Sequence, residues 1–171
     1  MKVILYMAIT ANGMIAKIDG NSDWVSPEDT KSFLKHSRDA GVVILGRKAY
    51  ELFDESYPLP LNKGTHYVMT SNTDMSSDNP TVKFTNQTPE KLIKELENKG
   101  QKEACVIGGS ITATNFMQKG LIDEIYLDIE PLIFGQGMPL FVPTDFEFNL
   151  ELLEVKNLSP QTVQLHYKVK K

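Results

Sequence analysis

An α/β fold in three layers, with a central mixed and mostly parallel sheet, helices on both faces and a C-terminal antiparallel hairpin, is predicted by three observations. Short apolar runs recur at residues 3–9, 42–45 and 104–107, the pattern of strands buried on both faces. Helix start and stop signals fall between them, at Ser26-Pro27 and Gly41, and again at Thr88 and Gly100. The stretches 147–155 and 163–169 alternate apolar and polar residues around a turn at 157–160, as an antiparallel pair does.

In chain order, the strand at 3–9 runs into turns at Asn12-Gly13 and Asp19-Gly20, within 10–23. Ser26 as cap, Pro27 at the first helical position and a carboxylate three residues after the cap open a helix with Phe33, Leu34 and Ala40 as its apolar stripe. After the strand at 42–45, Gly46-Arg47 leads into a short helix at 48–53. Residues 58–64 read as loop, 67–70 as strand, 71–80 as a polar, flexible loop and 81–85 as strand. Thr88 caps a helix through Leu92, Ile93 and Leu96. Beyond the strand at 104–107, Gly108-Gly109-Ser110 turns into a helix reaching Lys119, and 122–130 is a longer strand.

The 171 residues suit one domain, 1–171, and folding at that size removes about 70% of the unfolded chain's surface from water. With 18 Lys plus Arg against 22 Asp plus Glu, the net charge of −4 argues against a nucleic-acid binder relying on a basic stripe. One cysteine excludes a disulfide framework and any multi-cysteine zinc site. His36, His66 and His166 match no metal-ligand spacing and read as surface or hydrogen-bonding residues, so no metal is expected. The apolar start is too short for a signal peptide, and no run is long enough to span a membrane; a cytoplasmic location is expected. Cys105, inside an apolar strand, reads as a small hydrophobe.

Two strand-to-helix junctions carry chemistry. Gly108-Gly109-Ser110 places unpaired backbone N–H groups and a helix N-terminus where a phosphate binds well, although a tight turn alone also needs small residues there. Gly46-Arg47-Lys48 has the same form and adds two positive charges, so a ligand with several phosphates lying across the strand ends suits the pair. Asp29 shares a helical face with Phe33 one turn on. Two readings stay open for it: a carboxyl in a partly dry cleft, with raised pKa, or a capping-box acid that completes the helix terminus. Trp24, the one tryptophan, reads first as a packing residue.

These segments resemble the dihydrofolate reductase superfamily, including the reductase domain of the riboflavin pathway. Residues 8–16 resemble its first strand and mobile loop, and Trp24-Val25-Ser26-Pro27-Glu28-Asp29 with Phe33 matches its Trp, Pro and acid spacing. Residues 43–48 are similar to the strand and Gly-Arg turn that meet NADPH, and Thr70-Ser71 to the segment near the adenosine ribose and its 2′-phosphate. Residues 106–110 are similar to a signature whose two glycines are joined by a cis peptide. Residues 121–124 and 131–141 are closer to the riboflavin-type reductases and their stand-alone relatives.

The resemblance implies a dihydrofolate reductase-like fold and NADPH as cofactor. Ala8 and Ile15 then line the nicotinamide, and Gly46, Arg47, Lys48, Thr70, Ser71, Ile107, Gly108, Gly109, Ser110, Ile111 and Thr112 hold the rest of the cofactor. Asp29 and Asp128 are the expected catalytic acids, with Tyr6, Met7, Trp24, Phe33 and Lys63 against a small-molecule substrate. Three departures stand out: Ala49 replaces the usual Thr, Lys63 is the nearest substitute for the folate-tail arginine, and Asp128 stands where folate enzymes carry Thr. Reduction of dihydrofolate is the first expectation, and reduction of the ribosylaminopyrimidine phosphate of riboflavin synthesis the alternative. A non-catalytic NADPH-binding module is the third, and the oligomeric state stays open between monomer and homodimer. The zinc deaminase often fused to the riboflavin enzyme cannot be built with one cysteine.

Overall fold

The computed structural model describes residues 1–56, 58–61 and 63–171, the side chains of 54–56 excepted. The loop expected at 58–64 includes Asn62, which lies outside the described residues. The strands are β1 (Lys2–Thr10), β2 (Met14–Ala16), β3 (Val42–Gly46), β4 (Thr65–Met69), β5 (Val82–Thr85), β6 (Glu103–Val106), β7 (Glu124–Glu130), β8 (Met138–Pro139), β9 (Asn149–Asn157) and β10 (Val163–Lys170). The helices are α1 (Pro27–Ala40), α2 (Arg47–Ser56), α3 (Pro89–Asn98) and α4 (Ser110–Gln118).

Eight strands form one sheet in the order β5-β4-β3-β6-β1-β7-β10-β9. The pairs from β5 to β7 are parallel, and β10 pairs antiparallel with both β7 and β9. Strict alternation sends neighbouring residues to opposite layers. Val3, Leu5, Val42, Ile44, Ala104 and Val106 meet Leu92, Leu96 and Phe116 of α3 and α4. Tyr6, Val43, Leu45 and Cys105 meet Phe33, Tyr50 and Phe53 of α1 and α2. Both faces of the central strands are therefore dry, which explains their nearly unbroken apolar sequence. Cys105 is fully buried, and that burial pushes its thiol up to about 12.

Ser26 caps α1 through its side chain, with Pro27 in the first turn, and Gly41 ends the helix in the left-handed region at φ 68°. Local chemistry thus places α1 where the sequence predicts it. The differences lie elsewhere. The turn region 10–23 contains β2, which pairs with β8; two or three residues are too few to carry a periodic signal. That pair is close, because a Cβ on Gly137 would lie 2.6 Å from the Ala16 carbonyl oxygen. β4 starts two residues earlier than expected because His66 is fully buried, its Nε2 accepting from the Leu61 amide and its Nδ1 beside Thr81 Oγ1. A surface role for His66 is thereby excluded. The β9–β10 pair is also shifted: Asn157, expected in the turn, pairs with Val163, and the turn closes through Leu158 N to Thr162 O.

Gly64 joins the N-terminal ends of β3 and β4 with φ 116°, and a Cβ there would lie 2.4 Å from the Gly41 carbonyl oxygen. Gly64→Ala is expected to cost about 2 kcal/mol through backbone strain and the clash. A thermal melt should then show Tm falling by about 4–8 °C.

Candidate functional site

Register builds the site. Tyr6 and Ala8 of β1 lie opposite Tyr126 and Asp128 of β7, which lie opposite His166 and Gln164 of β10. All six side chains therefore share the sheet face beneath α1. The first turn of α1 brings Asp29 onto this face, 4% exposed, over Asp128, which is fully buried. The Tyr6 phenol donates to Asp128 Oδ2 at 2.5 Å, and Asp29 Oδ1 lies 3.2 Å from the same phenol oxygen. Gln164 Nε2 donates to Asp128 Oδ1 at 2.7 Å and to Ser32 Oγ at 2.9 Å. The two carboxyl groups thus share the Tyr6 phenol between them.

The capping-box reading of Asp29 does not survive. Ser26 Oγ accepts from the Asp29 amide, but the acid that receives the Ser26 amide is Glu130 Oε1, at 3.0 Å. Glu130 Oε2 takes the Thr162 hydroxyl at 3.0 Å, so the cap is completed from the sheet and the Asp29 carboxyl is left to the cluster. Burial, and then the charge of Asp128, push Asp29 up to about 8. Burial also raises Asp128, opposed by hydrogen bonds from Tyr6 and Gln164. Burial first, then the charges of Asp29 and Asp128, keep Tyr6 protonated. His36, 5.2 Å from Tyr6 between ring centres, is lowered to about 4 by burial and is neutral at pH 7.

Phe33 completes this pocket, its ring 5.8 Å from Tyr6 and stacked on Phe53 at 6.1 Å. Ala8 sits beside Asp128, on the same face. Met7 does not join them. Strand alternation turns it to the opposite face, where a Cβ on Gly108 would lie 2.6 Å from its methyl carbon. Lys63 is exposed just before β4, at the start of a strand whose other end faces the glycine turns. Trp24 meets Phe134 edge-on at 5.6 Å, and its buried indole N–H has no acceptor among the described residues.

The second half of the site lies at the C-terminal ends of β3, β6 and β4. The Gly108–Gly109 peptide is cis. The Gly46 amide donates to the Gly108 carbonyl at 2.8 Å, and a Cβ on Gly46 would lie 2.6 Å from Thr112 Oγ1. Gly109 caps α4 without a side-chain hydrogen bond, unlike Ser26 and Thr88 at α1 and α3. A Cβ on Gly109 would meet nothing within 4 Å, so open space lies beside Gly109 at the start of α4. This fits a pyrophosphate approaching a helix N-terminus. The Ser110 hydroxyl is spent on Pro139 O at 2.5 Å, leaving its amide for a ligand. Ile107 packs into the core, Ile111 is 64% exposed, and Ile15 is half-buried on β2. Arg47 pairs with Glu51 at 2.5 Å, and Lys48 is exposed. Thr70 lines a cleft of about 400 Å³ with Asn72, Thr73, Phe84 and Thr85, and Ser71 is exposed at its edge.

Gln164, Ser32, Glu130 and Thr162 were not legible as site residues in the sequence. A signal existed: Asp128 with Glu130 on β7, and Thr162 just before β10 with Gln164 on it, are polar pairs two residues apart, the spacing that puts extended-chain residues on one side.

The fold and this arrangement define a dihydrofolate reductase-like domain of the reductase type. The chain belongs to the RibD C-terminal domain family, matched across residues 1–164. It is 33% identical over 170 residues to the uncharacterized protein YwjB of Bacillus subtilis, with 97% of each chain covered. Its fold is similar to that of Acinetobacter baumannii RibD (TM-score 0.81, 18% identity), covering 99% of this chain and 58% of that one. It is also similar to that of a pyrimidine reductase-like protein from Corynebacterium diphtheriae (TM-score 0.81, 16% identity), covering 99% and 92%. Among the described residues no helix is long and apolar enough to cross a membrane, and no cluster of potential metal ligands occurs.

The raised Asp29 carboxyl sets a pH dependence. It binds its proton more tightly folded than unfolded, so its contribution to stability is full below about 4 and is lost as pH rises through about 8. Asp29→Asn removes that loss. Its Tm relative to wild type is expected to rise steadily between pH 4 and 8.5, read from paired melts across about this range.

Proposed function

We propose that this chain is an NADPH-dependent reductase of a ribosylaminopyrimidine phosphate, converting the ribosyl group to the open ribityl chain. The observation that carries the reading is the family match over residues 1–164, on a fold that buries an acid at the start of α1 and leaves the start of α4 without a side-chain cap. This reverses the order of substrates that the sequence alone suggests, in which dihydrofolate comes first. Asp128 in place of the folate-enzyme Thr weighs in the same direction.

NADPH supplies the hydride. The amides of Ser110, Ile111 and Thr112 receive its pyrophosphate, Arg47 and Lys48 meet a further phosphate, and Ala8 and Ile15 flank the nicotinamide ring. Reduction of the ring-opened ribosylamine adds hydride to C1′ of the sugar and a proton to the attached nitrogen. Asp29, neutral below about pH 8, is the source of that proton. Phe33, packed against Tyr6, helps keep water from the acid, which keeps its pKa high.

NADPH consumption by purified protein, followed with the pyrimidine and separately with dihydrofolate, tests the reading. The pyrimidine is expected to give the larger kcat/KM, and turnover of dihydrofolate alone would overturn the assignment. Asp29→Asn should lower kcat/KM by at least about a hundredfold, since the acid is lost while Ser26 still caps the helix. NADPH should bind more tightly than NADH, and Arg47→Ala should narrow the gap in a titration of both cofactors, because a charge-assisted phosphate contact is removed.

A further inference from the structure

The two carboxyls of the site are not equivalent. Asp128 receives the Tyr6 phenol on Oδ2 and the Gln164 amide on Oδ1. Among the described residues, the Asp29 carboxyl has the longer approach of the Tyr6 hydroxyl, at 3.2 Å, and no amide donor. Two buried carboxylates that share one phenol hold one proton between them at neutral pH. Donors aimed at one member favour charge on that member. The Gln164 amide is fixed in orientation by its second bond, to Ser32 Oγ. The phenol is fixed as a donor because its own ionisation is pushed far up. The other groups facing the pair do not reverse this: Glu130 of β7 adds negative charge, and His36 of α1 is neutral at pH 7.

We propose that Tyr6 and Gln164 are positioning residues that assign the single proton of the pair, holding Asp128 as the anion and leaving Asp29 as the neutral acid. This rests on the reading of the site as a reductase only where turnover is concerned. During reduction the Asp29 O–H bond breaks, its electron pair stays on the carboxylate, and the substrate nitrogen takes the proton while the hydride comes from NADPH. Asp29 regains a proton from solvent after product leaves. The Tyr6 hydroxyl bridges the pair, donating to Asp128 Oδ2 at 2.5 Å with Asp29 Oδ1 at 3.2 Å from the same oxygen.

Carbon-13 NMR of protein labelled at the aspartate carboxyls, assigned with Asp29→Asn and Asp128→Asn, reads the proton without substrate. In wild type, Asp29 is expected to titrate near 8 while Asp128 stays ionised at pH 7. Gln164→Leu and Tyr6→Phe each remove one donor from Asp128. In both, the Asp128 signal should move toward the neutral form by about one pH unit in midpoint, with the neutral fraction of Asp29 at pH 7 falling. The basic limb of kcat/KM against pH should move down with it. A neutral Asp128 in wild type, or an unmoved Asp128 midpoint in Gln164→Leu, overturns the proposal whether or not Tyr6→Phe folds. The expected NMR shifts with no turnover of either substrate would instead overturn the reductase reading and leave the proton assignment standing.

Discussion

Glu130 is 3% exposed, yet it anchors the helix on which the site depends. Its carboxylate takes the backbone amide of Ser26 and the hydroxyl of Thr162, so the N-terminus of α1 is tied to β7 and β10 by hydrogen bonds in a dry environment. Such charge-assisted bonds are stronger than neutral ones, and an unsatisfied helix amide at that position would be costly. Gln164, bonded to Ser32 nearly two turns further along, adds a second tie. Asp29 lies between the two ties, so its carboxyl has little freedom to leave the cluster. Ser26 completes the cap with its own hydroxyl, which releases Asp29 from the helix terminus.

Burying Asp29, Asp128 and Glu130 under one helix works against stability, because each charged form loses its water. The network offsets part of this by giving Asp128 and Glu130 two donors each. What is left over appears as the raised pKa of Asp29, a group that holds a proton at neutral pH only because it is kept dry beside another acid. The destabilisation and the chemical usefulness therefore have the same origin.

The cofactor side depends on backbone closeness rather than on side-chain chemistry. Parallel pairing of β3 with β6 aligns the ends of both strands, so that Gly46 and Gly108 meet through a direct amide-to-carbonyl bond. Thr112 and Met7 occupy the room that side chains on those glycines would need. Packing alone accounts for Gly46 and Gly108, which is why the motif could not separate a tight turn from a phosphate site. The start of α4 has no side-chain cap, and the space beside Gly109 is open.

The boundaries of α1, the apolar core strands and the two glycine junctions were legible in the sequence, because each rests on local chemistry: a cap, an alternation, a residue without Cβ. Asp29 could be singled out from its spacing to Ser26 and Phe33, but its role could not, since a capping acid and a cleft acid share the same position in the chain. That choice was made by Glu130, 101 residues further on by its number and adjacent only after β7 has docked beside β1. The partnership of Tyr6, Asp128 and Gln164 likewise exists only because β1, β7 and β10 pair in one register, and a slip of one residue would turn all three to the other face. Local sequence determines which elements form and where they start. Long-range strand register decides which polar side chains share a dry space, and so which of them can exchange a proton.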